Sequence, residues 1–207
     1  MKFSNIDSYL HKITPQSEKI LKEMEDCATE KGFPIIGPLV GRFLCQMAMV
    51  MKAKKILELG SGFGYSAYWF SLGMGGRGQI VMTDADSSNK EQAFQYFVRG
   101  GLKTSIKFLV GDALKSADSL RGGFDIVLND IDKAEYPKTI EIAHRLLRPR
   151  GLFITDNLIW SGKVFNPEVK DKDTKGIRRF TKMLYSDDRF LTSVLPIRDG
   201  VSVAVRR

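Results

Sequence analysis

Short apolar segments alternate with longer amphipathic segments from residue 53 to residue 190, and this alternation constrains the fold most strongly. The strand-like segments are KKILELG, QIVMTDAD, IKFLVGD, FDIVLND and GLFITDN, and each is followed by a helix-like segment. Strands that alternate with helices along a chain typically form a parallel sheet with helices on both faces. The sequence therefore predicts an α/β fold with a mostly parallel sheet.

The end of the chain departs from this alternation. LTSVLPI and VSVAVRR are both strand-like, and only Arg198, Asp199 and Gly200 separate them. An Asp-Gly pair in so short a connection is typical of a β-hairpin, whose strands run antiparallel. We therefore expect a C-terminal antiparallel hairpin in the sheet. A dinucleotide-dependent dehydrogenase would more often end on a parallel strand.

Two helices are expected before the first strand. Thr14 and Pro15 are of the residue types that begin a helix, and a second helix is expected after Gly37 and Pro38. A chain of 207 residues suits one domain. We expect a single domain over residues 1–207, with N-terminal helices in residues 1–52 that cover the active site and an α/β core in residues 53–207.

Composition narrows the class of protein. No segment approaches the roughly 20 apolar residues of a membrane helix, and the N-terminal MKFSNIDSYLHK lacks the apolar stretch of a secretion signal. We therefore expect a cytoplasmic protein without membrane association, in which Cys27 and Cys45 are reduced, buried thiols. The net charge of +8 is consistent with a solvated basic surface, and a polyanion-binding site is the alternative.

A glycine-rich segment, LELGSGFGYS, lies between the first strand and the next helix. Gly60, Gly62 and Gly64 would let the backbone approach a ligand at the helix N-terminus. The pattern is GxGxG, and Tyr65 occupies the sixth position, where the dinucleotide fingerprint GxGxxG has glycine. The segment favours a ligand-binding loop other than an NAD loop, and a simple tight turn is the alternative.

Acidic residues follow the second and third strands. Asp84 could accept hydrogen bonds from both hydroxyls of a ribose. Asp112 could accept one from an adenine amino group, or it could cap the following helix. Together they indicate a nucleoside-containing ligand.

Polar side chains also follow the fourth and fifth strands. Asp130 ends the fourth, and Asp156 and Asn157 end the fifth. The carboxyl ends of parallel strands meet at one edge of the sheet, where ligands bind. Two carboxylates and an amide suit a hard cation such as Mg²⁺, Mn²⁺ or Ca²⁺. Capping of the following helices is the alternative.

The motifs LELGSGFGYS, NDIDK, TDNLIWSG and LPIRDGVSVAVRR occur in this order. In this combination the chain, from about residue 37 to its end, resembles the cation-dependent class I O-methyltransferases of the catechol and caffeoyl-coenzyme A type. The resemblance implies a Rossmann-like, seven-stranded methyltransferase fold. It also implies S-adenosylmethionine as methyl donor and a divalent cation, first of all Mg²⁺.

The resemblance further implies roles for individual residues. Beside the donor it places Glu58, Gly60, Ser61, Ser66, Asp84, Asp112, Ala113 and Asp132. It makes Asp130, Asp156 and Asn157 the metal ligands and places Trp160 and Ser161 at the substrate. Lys133 becomes the candidate general base beside Asp130, and a structural salt bridge to Asp132 is the alternative.

The expected function is methylation of a hydroxyl on a catechol-like small molecule with two neighbouring hydroxyls. The alternative acceptor is a hydroxylated uridine in tRNA, which the charge of +8 permits. No separate RNA-binding motif or basic-aromatic stripe supports it. An NAD-dependent oxidoreductase is a third hypothesis, which the glycine pattern opposes. A homodimer is expected from the resemblance alone.

Overall fold

The fold is a sheet with helices on both faces, described here in a computed structural model for the backbone of residues 3–207 and the side chains of residues 6–207. The strands are β1 (Lys55–Leu59), β2 (Gln79–Asp84), β3 (Ser105–Val110), β4 (Phe124–Asn129), β5 (Leu147–Thr155), β6 (Phe190–Leu195) and β7 (Val201–Arg206). The helices are α1 (Phe3–Ile13), α2 (Lys19–Lys31), α3 (Gly37–Met51), α4 (Tyr65–Gly73), α5 (Ser87–Arg99), α6 (Ala113–Asp118), α7 (Tyr136–Leu146) and α8 (Lys172–Tyr185).

The strands form one seven-stranded sheet in the order β3-β2-β1-β4-β5-β7-β6. Strands β1 to β5 pair in parallel, whereas β7 runs antiparallel to both β5 and β6. This arrangement confirms the predicted α/β fold and its C-terminal hairpin. The strand order reverses between β1 and β4, and ligands of open α/β sheets bind in the crevice beside such a point.

Two apolar cores lie on opposite faces of the sheet. Ile56 of β1 belongs to the core beneath α2 to α5, and the next residue, Leu57, belongs to the core beneath α7 and α8. Both side chains are fully buried, as expected for a central strand covered on both faces. Burying such a side chain contributes about 1.5–3 kcal/mol, so the two cores fix the strands that carry the site.

The N-terminal helices differ from the sequence prediction. Thr14 does not begin a helix, because its Oγ1 donates a hydrogen bond to the carbonyl of Leu10 (2.6 Å) at the end of α1. The next helix starts only at Lys19, after an irregular segment that contains Pro15. The predicted helix start at Thr14 and Pro15 was therefore wrong. Within residues 3–207, three helices precede β1 rather than two.

Two further expectations can be compared with the structure. Cys27 and Cys45 are free thiols, as predicted, but both are only half-buried rather than buried. Across residues 3–207, every helix is too short or too polar to cross a membrane. The division into N-terminal helices and an α/β core stays a prediction. Helices α2 and α3 contact α4, and residues 33–36, which join α2 to α3, line the cavity described next.

Candidate functional site

A cavity of about 780 Å³ opens at the carboxyl ends of the central strands. It lies at the edge where the strand order reverses, which is the expected ligand position in such a sheet. Most of the predicted site residues line it: Gly60, Ser61, Ser66, Asp84, Asp112, Ala113, Asp130, Asp132, Lys133, Asp156, Asn157 and Trp160. Two do not. Glu58 is fully buried behind Ser66, and Ser161 is exposed outside the lining.

The glycine loop packs directly on the end of β4. Gly60 has a φ of 80°, and a Cβ atom at this position would lie 2.4 Å from the carbonyl oxygen of Asp130. Any side chain here would therefore push the loop away from β4. The loop is also tied to β2, because the Gly62 N–H donates to Asp84 Oδ2 (2.9 Å). The turn is tight, as the alternative interpretation holds, and it also forms a wall of the cavity.

Asp84 holds the loops around it together. Besides the bond from Gly62, its Oδ1 accepts hydrogen bonds from the Asp86 N–H (2.9 Å) and from Asn89 Nδ2 (3.0 Å). A carboxylate offers about four lone-pair sites, so three contacts leave about one site for a ligand. Asp84 can thus accept one ribose hydroxyl without giving up a contact.

Asp112 caps a helix, which was the alternative to its predicted contact with adenine. Its side chain caps α6 by accepting a hydrogen bond from the Lys115 N–H (3.0 Å). It also lines the cavity beside Ala113. The same side chain therefore caps the helix and borders the cavity.

Glu58 is a buried carboxyl group with one unsatisfied oxygen. Ser66 donates to Oε1, whereas Oε2 has no hydrogen-bond partner among the described residues. Burial raises the pKa of Glu58 to about 8. A positively charged ligand group near the cavity-lining Ser61 and Ser66 would stabilise its ionised form. The site therefore fits a ligand that carries an ammonium or another cationic group.

Asp130 and Asp156 lie side by side at the ends of neighbouring strands. Asn129 of β4 pairs in register with Thr155 of β5, and each carboxylate is on the next residue. Asp156 is 1% exposed, and neither of its carboxylate oxygens has a hydrogen-bond partner in the described part of the chain. Burial, together with the charge of Asp130, raises the pKa of Asp156 to about 7.

The contacts of Asp130 correct two interpretations. Its Oδ1 is 2.7 Å from Lys133 Nζ, so the predicted alternative salt bridge from Lys133 to Asp132 was wrong in its partner. Neither Asp130 nor Asp156 caps a helix through its carboxylate. The capping alternative was therefore wrong for both residues. Burial raises the pKa of Asp130, although the Lys133 charge opposes this shift.

Asn157 is held by the hairpin between β6 and β7. It has a φ of 63°, and its Nδ2 donates to Asp199 Oδ2 (3.4 Å). The other Asp199 oxygen accepts a hydrogen bond from the Ser161 N–H (2.5 Å). With its amide N–H group directed to Asp199, the Asn157 side chain keeps its carbonyl oxygen as an acceptor.

The donor set of Asp130, Asp156 and Asn157 fits a hard divalent cation. All three line one cavity. The oxygens of Asp156 accept no hydrogen bond from the described residues, and a cation would supply the close partner that burial demands. In residues 3–207, no group of three or more His, Cys, Asp and Glu side chains could hold a metal ion. The set therefore depends on the amide of Asn157 as its third ligand.

Three residues of the site were missed from the sequence. Tyr136 is buried, and its hydroxyl donates to the carbonyl of Asp156 (3.1 Å). Asp199 holds Asn157, and Arg198 Nη1 lies 3.7 Å from Asp156 Oδ2. The signal for Arg198 and Asp199 was present in the Asp-Gly turn. It predicted the hairpin but not that the turn reaches the ends of β4 and β5.

Lys133 and Trp160 lie together at one side of the cavity. Lys133 Nζ is 5.8 Å from the centre of the Trp160 ring and 5.5 Å from that of Tyr136. Trp160 Nε1 is buried without a hydrogen-bond partner among the residues described. The ring and the amine therefore form a partly apolar wall next to Asp130.

Known proteins resemble this chain over its length. A sequence model of a family described as O-methyltransferase matches residues 11–207. A relative from Niastella koreensis named catechol O-methyltransferase is 29% identical, with 98% of this chain and 97% of the relative covered. The structure of an O-methyltransferase from Bacillus cereus in complex with SAH is 26% identical, with a TM-score of 0.86 and 100% of both chains covered. A methyltransferase structure from Geobacter sulfurreducens is 26% identical, with a TM-score of 0.83 and coverage of 99% and 98%.

Proposed function

The chain belongs to the O-methyltransferase family, and on that premise we propose that it methylates a small molecule with two neighbouring hydroxyls. The proposed donor is S-adenosylmethionine, and the proposed reaction requires a divalent cation. The observation that carries the proposal is Asp156, whose two buried carboxylate oxygens lie beside Asp130 and accept no hydrogen bond from the described residues. The name of the Niastella koreensis relative supports a catechol-like acceptor.

The donor end of the cavity fits S-adenosylmethionine, which supplies a methyl group on a positively charged sulfonium. In its ionised form, Glu58 would attract positive charge to the neighbouring Ser61 and Ser66, where the methionine part would bind. Asp84 retains about one acceptor site for a ribose hydroxyl, and Asp112 and Ala113 would border the adenine. The SAH complex of the Bacillus cereus relative supports this assignment, since SAH is what remains of the donor after methyl transfer.

The acceptor end of the cavity fits a divalent cation held by Asp130, Asp156 and Asn157. Mg²⁺ is the first candidate, followed by Mn²⁺ and Ca²⁺, because the ligands are oxygens. When bound there, the cation supplies positive charge that favours the oxyanion of a substrate hydroxyl. A phenol has a pKa of about 10, so little of its anion exists at neutral pH without such help.

Lys133 is the proposed acceptor of the hydroxyl proton, a role that its neutral amine performs after the ammonium has passed its own proton to Asp130 or to solvent. Its Nζ lies in the cavity, 2.7 Å from Asp130. Tyr136 fixes the end of β5 through its bond to the Asp156 carbonyl, and the Trp160 ring shields the amine. These residues would hold the acceptor oxygen, the proton acceptor and the donor in one geometry, which removes much of the entropic cost of the reaction.

The alternative acceptor is a hydroxylated uridine in tRNA, and the observation that favours it is the net charge of +8. Binding of tRNA that weakens steeply with salt would support it. We also propose that the protein is a homodimer and is located in the cytoplasm.

Transfer of a labelled methyl group from S-adenosylmethionine to caffeic acid tests the proposal. We expect turnover with Mg²⁺ and its loss with EDTA, followed by recovery when Mg²⁺ is added in excess. Turnover that EDTA leaves unchanged would reject the cation. Donor binding without transfer to any vicinal diol would reject the small-molecule acceptor and favour tRNA.

A further inference from the structure

Arg198 lines the candidate site and also a second hollow beside it. It lies in the turn between β6 and β7 with a φ of 50°. It lines the main cavity and an adjoining hollow of about 540 Å³ between α2 and α3. Residues 33–35 line both as well. Arg198 therefore lies where the two spaces meet, at the acceptor end of the cavity.

The guanidinium of Arg198 has donors to spare. The other cationic side chain of the main cavity, Lys133, is paired with Asp130 at 2.7 Å. Arg198 Nη1 is 3.7 Å from Asp156 Oδ2, too far for a hydrogen bond. Among the described residues, its five N–H donors make no hydrogen bond, and its side chain is 37% exposed. The guanidinium is thus charged, accessible to a ligand and free to donate hydrogen bonds.

We propose that Arg198 binds a carboxylate on the acceptor substrate, so that the preferred acceptor is a vicinal diol that also carries a carboxylic acid. This inference rests on the proposed function and names its substrate class. The planar guanidinium can donate two parallel hydrogen bonds to a carboxylate. Its place next to Asp156 sets the carboxylate beyond the reacting hydroxyls, toward the adjoining hollow.

The charge of the cavity favours a carboxylate over a phosphate. The acidic residues that line it are Asp84, Asp112, Asp130, Asp132, Glu135, Asp156 and Asp173. The cavity lining includes two cationic side chains, Lys133 and Arg198. In the described residues, Lys133 has a close acidic partner and Arg198 does not. A singly charged carboxylate meets less repulsion there than a doubly charged phosphate group.

A purely structural role for Arg198 predicts something different. If the guanidinium only neutralises Asp156, it competes with a cation for the same carboxylate. Removing it would then tighten Mg²⁺ binding and leave the choice of acceptor unchanged. The two roles can therefore be separated by measuring ligand and metal affinities in the same variant.

The test measures binding of 3,4-dihydroxybenzoate and 3,4-dihydroxybenzamide by calorimetry to the protein loaded with SAH and Mg²⁺. The two ligands share the diol and differ in the charge of one group. We expect the wild type to bind the acid roughly 10- to 100-fold more tightly, the range for a charge-assisted hydrogen bond. Arg198→Gln should bind both about equally, and Arg198→Lys should retain part of the preference because it keeps charge but loses the planar fork.

Each other outcome overturns the inference in a distinguishable way. Equal binding of acid and amide by the wild type, or an unchanged ratio in Arg198→Gln, rejects the carboxylate contact and leaves the proposed function intact. An unchanged ratio with tighter Mg²⁺ binding in that variant assigns Arg198 to neutralising Asp156. Binding of SAH without binding of either diol rejects the proposed acceptor and this inference with it. SAH affinity and thermal stability of the variant confirm that it is folded.

Discussion

The two ends of strand β4 carry carboxylates that the fold treats in opposite ways. At the amino end, Asp125 is nearly buried and accepts hydrogen bonds from the N–H groups of Lys54 (2.7 Å) and Lys55 (2.9 Å). Arg148 Nε adds a third at 2.5 Å. Burial alone would raise the pKa of Asp125, but these bonds outweigh it and lower the pKa.

At the carboxyl end the balance is reversed. Asp156, on the neighbouring strand, is more deeply buried than Asp125 but has no hydrogen bond within the described residues. Asp130 has Lys133 as its one close ionic partner among the side chains of residues 6–207. A buried charge without partners costs several kcal/mol by general estimates. The comparison teaches that partnered carboxylates, such as Asp125, hold the sheet together, whereas unpartnered ones mark the place of a ligand.

The largest expected effect on activity comes from substituting Asp156 at the carboxyl end of the sheet. Asp156→Ala should lower cation-dependent methyl transfer by at least about 1000-fold, because loss of a ligand removes the charge stabilisation of the oxyanion. Stability should not fall in parallel, since the substitution removes a buried charge that accepts no hydrogen bond from the described residues and has Arg198 only at 3.7 Å. Transfer assays and thermal unfolding measure the two effects separately.

Asp156→Asn is the matched variant, because it keeps the side-chain volume and removes only the charge. It should lose activity while unfolding at the same temperature as the wild type or higher. Activity near the wild-type level in both variants would show that the unpartnered oxygens do not mark the cation site.

Substitution of Lys133 tests whether the carboxyl end of β4 also supplies a general base. Lys133→Met should lower kcat by roughly 100-fold or more, the usual range for a proton-transfer group. Lys133→Arg keeps the positive charge beside Asp130 but holds its proton permanently. If Lys133 accepts the proton, both variants lose kcat. Retained kcat in Lys133→Arg would instead assign the residue to the ion pair alone.

At the amino end, substitution should affect stability rather than chemistry. Asp125→Ala leaves two backbone N–H groups and a guanidinium without their acceptor, so the free energy of unfolding should fall by about 3 kcal/mol. A lowered pKa stabilises the fold above the unfolded value of about 3.9, and this contribution is lost as pH falls through the folded pKa. The stability difference from the wild type should therefore narrow in acid.

Urea unfolding at pH 7 and at pH 3 measures this difference, and transfer assays on the folded variant provide the control. If Asp125→Ala is as stable as the wild type, or if it stays folded but loses activity, the proposed difference between the two ends of β4 is wrong.

The smallest expected effect concerns Glu58, the third buried carboxyl. Its pKa of about 8 lies above the unfolded value. Its contribution to stability is therefore present at low pH and is lost as pH rises through 8. A bound, positively charged donor should instead favour the ionised form of Glu58. Below pH 8, donor affinity should fall by about tenfold per pH unit at most, because neutralising Glu58 removes the attraction.

Calorimetry with S-adenosylmethionine between pH 6 and pH 9, in buffers of different ionisation enthalpy, reports both affinity and proton release. Glu58→Gln should bind more weakly and without this pH dependence. A wild-type affinity that does not change over this range would remove Glu58 from the donor site.

Much of the fold was predictable because local patterns agree with the tertiary structure. The alternation of strands and helices and the Asp-Gly turn are each encoded within a few residues. Helix α1 was missed, and Thr14 was taken for a helix start although its hydroxyl bonds back to Leu10. Residue type favours Thr at both kinds of position, so the sequence alone does not decide between them.

The site was predictable where it depends on strand ends. Asp130, Asp156 and Asn157 follow their strands directly, and the parallel register brings them together. The partner of Lys133 and the placement of Arg198 and Asp199 depend on how side chains and the hairpin turn pack against the sheet. Neither the side-chain conformation that pairs Lys133 with Asp130 rather than Asp132 nor the long-range contacts of the turn leave a local pattern in the sequence. Ser161, which the resemblance placed at the substrate, is exposed and lies outside the cavity lining.

Direct binding of Mn²⁺ tests the central claim that the carboxyl end of β4 and β5 holds a divalent cation. Electron paramagnetic resonance of free Mn²⁺ during titration, in the presence of SAH, gives the number of bound ions without any need for turnover. We predict one ion per chain for the wild type, none for Asp156→Asn, and one for Asp173→Asn, which removes an acid from another part of the same cavity. Equal binding by the wild type and Asp156→Asn, or loss of binding in Asp173→Asn alone, would contradict the account.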